Sequence, residues 1–129
     1  MSRTVVLIDD NSWQRRRIRA ALEREAMTVI EREPKELSKQ DLSAQGHDIF
    51  VVDIVMPVFD GIEVIRHIRR ARSPAAIIAY SADYPQYVHY AAKLGADESL
   101  SVLRADGVQR LVETVRRYSS KGSDPQLTD

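Results

Sequence analysis

Asp53-Ile54-Val55-Met56-Pro57-Val58-Phe59-Asp60-Gly61, entered directly from the apolar run Ile49-Phe50-Val51-Val52, is the stretch that decides the fold. Four large apolar residues in a row, without polar alternation, read as a strand buried on both faces, which is the pattern of a parallel sheet covered by helices. Such a strand seldom ends in a charge unless the charge has a use there. The pattern occurs a second time, where Val5-Val6-Leu7-Ile8 ends in Asp9-Asp10. If the two strands lie side by side, three carboxylates share one small volume and raise one another's pKa. A hard divalent cation relieves that repulsion, and Mg2+ suits carboxylates that leave coordination positions open to water.

The rest of the chain repeats the alternation. Further apolar runs at Thr28–Ile30, Ala76–Ala79 and, more weakly, Ser99–Leu103 are separated by stretches of helical period. Ile18, Ala21 and Leu22 form one such face behind Ser12, a cap candidate, and Ile62, Val64, Ile65 and Ile68 form another behind Asp60. Val88, Ala91 and Ala92 follow Pro85, and Val108, Leu111, Val112 and Val115 give the cleanest stripe. A helix over Lys35–Gln45 is expected from three apolar residues alone. Five βα units with right-handed crossovers predict a doubly wound α/β sandwich. In such a sheet chemistry gathers beyond the carboxyl ends of the strands, which here carry Asp9, Asp10, Asp53 and Ser81.

A chain of 129 residues with 43% apolar and 29% charged residues has material for one core, and its formal net charge of zero gives no pull toward nucleic acid or a membrane surface. The absence of cysteine excludes disulfides and thiolate metal sites. The N-terminus enters the first strand at once, so a cytoplasmic protein is expected. One domain is predicted over residues 1–118, followed by a polar tail over 119–129 that is expected to be disordered.

With these residues in place the sequence resembles the response-regulator receiver domain of bacterial two-component signalling. The resemblance covers roughly residues 3–118 and rests on Asp9-Asp10, Asp53…Met56-Pro57…Asp60-Gly61, Ser81-Ala82 and Gly95-Ala96-Asp97. It implies a flavodoxin-like (βα)5 sandwich with strand order 2-1-3-4-5. It implies that Asp53 is the phosphoacceptor, that Asp10, Asp53 and the Val55 carbonyl bind Mg2+, that Asp9 acts through a water, and that the Ser81 hydroxyl turns toward the phosphoryl group. The partner it implies is a histidine kinase or phosphotransfer protein, with a further protein as target. It also implies a phosphoacceptor rather than an enzyme, with at most slow self-catalysed phosphorylation and dephosphorylation.

Two positions depart from the family. Counting from Gly95-Ala96-Asp97-Glu98, the family's aromatic residue is Ser99 and its phosphoryl-contacting lysine is Val102, with Arg104 the one cation within two residues. These departures favour a phosphorylation-independent pseudo-receiver as the alternative, whereas the intact acids favour a stand-alone phosphoacceptor. A haloacid-dehalogenase-type enzyme needs a second aspartate where Val55 stands. A dinucleotide fold needs a glycine-rich turn where Asp9-Asp10-Asn11-Ser12 stands. No helix-turn-helix remains once the five units are assigned. Arg15, Arg16 and Arg19, expected on the solvent side of the first helix, and Tyr87 and Tyr90 are candidates for partner docking. His47, His67 and His89 lack ligand spacing to each other.

Overall fold

In a computed structural model, five strands form a single parallel sheet in the order β2-β1-β3-β4-β5. The strands are β1 (Thr4–Ile8), β2 (Thr28–Arg32), β3 (Ile49–Asp53), β4 (Ala76–Ser81) and β5 (Glu98–Ser101). Among the described residues the helices that can be bounded are α1 (Ser12–Glu23), α2 (Gly61–Arg70) and α3 (Gly107–Ser123), with a short 3-10 turn at Pro34–Glu36. The structure describes residues 4–37, 49–54, 61–71, 74–81, 91, 93, 95–102 and 105–123. The helix expected over Lys35–Gln45 falls largely outside them, as do His47, Val55, Asp60, Tyr87, His89, Tyr90 and Arg104.

Alternation along the strands divides the core in two. Val6, Ile8, Phe50, Val52, Ile77 and Ala79 face α2, whose Val64, Ile65 and Ile68 complete that layer. Val5, Leu7, Val51, Ile78, Tyr80 and Leu100 face the opposite layer, where Ile18 and Leu22 of α1 and Leu111, Val112 and Val115 of α3 are buried. The doubly wound architecture expected from the alternation is therefore the one observed. β3 is buried from end to end, which explains why its sequence lacks a polar face.

Local chemistry sets the ends of the elements. Asn11, not Ser12, caps α1: its side chain accepts a hydrogen bond from the Gln14 amide at 3.0 Å. Both residue types cap well, but only Asn11 precedes the first helical turn. α3 runs through Ser123, past the expected domain boundary at 118. The Gly95-Ala96-Asp97 segment is a structural clamp. Asp97 Oδ2 accepts from the Ile77 amide at 2.8 Å and from Arg69 at 2.7 Å, and Arg69 also donates to the carbonyls of Gly95 and Ala75. This clamp ties the amino end of β5 to that of β4 and to α2, and so fixes where β5 starts along the sheet.

Candidate functional site

β1 lies between β2 and β3, so the strand order reverses there, and in open α/β sheets the binding crevice lies beyond the carboxyl ends of the strands at such a point. In register, Ile8 pairs with Val52 and Asp53 pairs with Tyr80. Asp9, Asp10 and Asp53 therefore emerge together. One carboxylate oxygen of each lies within 4.8 Å of the others. Asp9 is fully buried and Asp53 nearly so, whereas Asp10 is half-buried. The three acids expected to converge do converge.

The donor set is oxygen only, compact, and open to water on the side of Asp10. That combination fits a hard divalent cation such as Mg2+, and it does not fit a thiolate or imidazole metal. The electrostatics agree. Burial, and then the charge of Asp9, push the Asp10 carboxyl above its ordinary value, against a smaller opposing pull from Arg15.

Asp9 is held by a network that its sequence context did not announce. Its Oδ1 accepts from the Asn11 amide at 2.8 Å, and its Oδ2 accepts from Gln14 Nε2 at 2.9 Å. The hydroxyl of Tyr80, a fully buried residue of β4, also donates to Oδ2. Tyr80 lies one residue beyond the apolar run Ala76–Ala79. Its only sequence signal was a phenol at the end of a strand that neighbours an acid-bearing one, since buried tyrosine hydroxyls need a partner.

Ser81, expected as the switching hydroxyl, ends β4 and is fully buried, one residue beyond the partner of Asp53. Ser99 lies in β5 opposite Ala79. Val102 follows β5, and its amide donates to the Ser81 carbonyl at 2.9 Å. Its side chain is half-buried against the α1/α3 layer. The close approaches at both ends of the site require glycine. A Cβ at Gly61 would stand 2.0 Å from the Asp53 carbonyl oxygen, and one at Gly107 would stand 2.4 Å from Val102 Cα.

The docking candidates need one correction. Arg15 is not on the solvent side of α1. Its guanidinium donates to the Asp9 carbonyl at 2.6 Å and to Glu31 at 2.8 Å, because β2 places a carboxylate alongside that turn of the helix. Arg19 also reaches Glu31, at 2.6 Å, while Arg16 is exposed. Trp13, in the first turn of α1, is 67% exposed, with the Arg17 guanidinium 4.8 Å from its ring centre. His67 is exposed on α2.

Comparison with known proteins places this arrangement. The response regulator receiver domain model matches residues 5–115. The KDP operon transcriptional regulatory protein KdpE of Escherichia coli is 30% identical over 118 residues, which take in 90% of this chain and 52% of that protein. The chemotaxis protein CheY of Halobacterium salinarum is 33% identical over 98 residues, 75% of this chain and 82% of that one. The chain thus spans about half the length of KdpE and most of CheY. Among solved structures, the response regulator TrrA of Thermotoga maritima in complex with Mg2+-BeF is similar at TM-score 0.74 and 26% identity, covering 92% of this chain and 99% of that one.

Proposed function

The chain belongs to the response-regulator receiver family, and on that premise we propose that it acts as a phosphoacceptor, taking a phosphoryl group on Asp53 in an Mg2+-dependent reaction. The observation that carries the reading is the convergence of Asp9, Asp10 and Asp53 within 4.8 Å. A merely structural sheet edge gains nothing from three buried or half-buried acids that repel one another.

Phosphoryl transfer asks a protein mainly for positioning and charge neutralisation. β3 holds the Asp53 carboxylate at the mouth of the crevice. An Asp53 oxygen attacks the phosphorus of a phosphohistidine on a histidine kinase or phosphotransfer protein. The phosphorus–nitrogen bond breaks, and its electron pair returns to the imidazole, which takes a proton from solvent. Asp10 and Asp53 would hold Mg2+ directly, with the Val55 carbonyl as a further ligand and Asp9 acting through a water. When bound, the ion would screen the attacking carboxylate from the anionic phosphoryl oxygens. The Ser81 hydroxyl, at the end of the neighbouring strand, is the side-chain donor for one of those oxygens. The reading gives this chain no catalytic turnover beyond slow self-catalysed gain and loss of the group.

A second reading is favoured by the β5 end. Val102 presents no charge and Ser99 no ring, which suits a protein-binding module that does not depend on phosphate. Mass spectrometry after incubation with a small phosphodonor and Mg2+ separates the two. Addition of one phosphoryl group to wild type, mapped to Asp53 and absent in Asp53→Asn, is expected. A wild type that stays unmodified selects the binding module.

A further inference from the structure

Three neutral donors, the Asn11 amide, the Gln14 amide and the Tyr80 hydroxyl, reach the Asp9 carboxylate. Among the described residues no cationic group makes a hydrogen bond to it. Arg15, the guanidinium beside it, donates to the Asp9 main-chain carbonyl and to Glu31. A carboxylate has about four acceptor directions, so Asp9 is left with about one for anything that enters the crevice. The two donors on Oδ2 come from different elements, Gln14 from α1 and Tyr80 from β4. Val102, at the position where the family carries a lysine, packs against the same apolar layer that contains Tyr80. The phenol therefore lies on the face of the sheet that a cation at position 102 would share.

We propose that Tyr80 is a positioning residue of the acid site, whose hydroxyl holds Asp9 and offsets its charge while no metal is bound, the part that a nearby cation would otherwise take. The inference rests on the reading of the three acids as an Mg2+ site. Burial, then the charges of Asp9 and Asp53, push the Tyr80 phenol well above its ordinary value, so it remains a neutral donor. A donor and a cation compete for the same carboxylate charge. Removing the donor therefore destabilises the metal-free protein more than the loaded one, and by linkage must tighten metal binding. A hydroxyl that served only the packing of β4 would cost the same stability in both states.

The test is Tyr80→Phe, which keeps the ring in the core, with melting in chelator and in saturating Mg2+ and the Mg2+ dissociation constant measured by calorimetry. The expected result is a lower midpoint in chelator, most of it recovered in Mg2+, and a dissociation constant about tenfold tighter than wild type, the scale set by a hydrogen bond to a charged group. An equal loss of midpoint in both conditions, or an unchanged or weaker dissociation constant, overturns the assignment of Tyr80 alone. A wild type whose midpoint and calorimetry ignore Mg2+ refutes the metal site, and this inference falls with it. If Tyr80→Phe does not fold, the double variant Tyr80→Phe/Asp9→Asn decides. With the carboxylate charge removed, it should fold and melt close to Asp9→Asn. A double variant that also fails to fold contradicts the proposal.

Discussion

The crevice has two ends built on different terms. At the carboxyl ends of β1 and β3, three acids crowd within 4.8 Å, and their neighbours are arranged to hold them there. In and just after β5, Ser99 and Val102 stand at the positions that the sequence resemblance assigns to an aromatic ring and a lysine, and the backbone is pinned by the Val102–Ser81 hydrogen bond at 2.9 Å. One end keeps everything that binding a cation requires. The other carries no charged side chain at Val102 itself, with Arg104 two residues further on in the sequence. On the proposed reading, metal binding and phosphoryl stabilisation would be separable in this chain: the first would depend on the acids, the second on donors beyond them.

The two glycines give the sharpest way to break the comparison. A Cβ at Gly61 collides with the Asp53 carbonyl, and one at Gly107 collides with the backbone of Val102. Backbone cannot yield as a flexible side chain can, so each alanine substitution should cost about 3 kcal/mol of stability, the upper range for overpacking. The ends should then diverge. Gly61→Ala should also weaken the response to Mg2+, and Gly107→Ala should leave it intact. Denaturant melts with and without Mg2+ measure both effects, and equal Mg2+ responses in the two variants would contradict the division.

A smaller effect is expected from the acids themselves. Mg2+ at several times its dissociation constant should stabilise wild type by about 1 kcal/mol. Without metal, Asp10→Asn should raise the midpoint by roughly 2–4 °C at neutral pH, because it removes a carboxylate that burial and Asp9 disfavour, and the Mg2+ shift should vanish. The sign with pH follows. A carboxyl raised in the folded state binds its proton before the unfolded chain does as pH falls. Metal-free wild type therefore gains stability as pH falls through that raised value toward the ordinary carboxylate range, and loses it as pH rises again. Asp10→Asn should lack this gain. A variant that melts like wild type and still responds to Mg2+ would remove Asp10 from the site.

The smallest signal belongs to Trp13. Its exposed ring starts α1 three residues after Asp10, stacked under Arg17. A modest fluorescence change on Mg2+ binding is expected. A flat titration in a protein that binds the ion by calorimetry would show that the first turn of α1 does not sense the acid end.

How much of this the sequence displayed follows the same division. The sheet and the acid cluster were legible because apolar runs ending in aspartate carry both the strand and the site in adjacent letters. The place of Ser81 at the end of β4 was legible because it follows an apolar run of the same kind. Tyr80 was not: its partner lies 71 residues away, and within its own strand a tyrosine is indistinguishable from packing. Arg15 was misplaced on the solvent face because its carboxylate partner, Glu31, belongs to the next strand and not to its own helix. Helical spacing places a residue on a face; it does not reveal what the neighbouring strand offers that face. Likewise the departure at Val102 was readable, but its burial on the same face as Tyr80 required the pairing of β4 with β5.

The central claim, that the acid end is competent and the β5 end limits it, is tested most directly by the initial rate of Asp53 phosphorylation from a small phosphodonor in saturating Mg2+. Wild type is to be compared with Val102→Lys after circular dichroism has shown both to be folded. Val102 is half-buried, so a lysine there can keep its ammonium at the rim and the burial cost should be modest. The account predicts an increase of about 10²-fold, the scale of one preorganised charge contact to the transferring group. A folded Val102→Lys protein that gains its phosphoryl group no faster than wild type would contradict it.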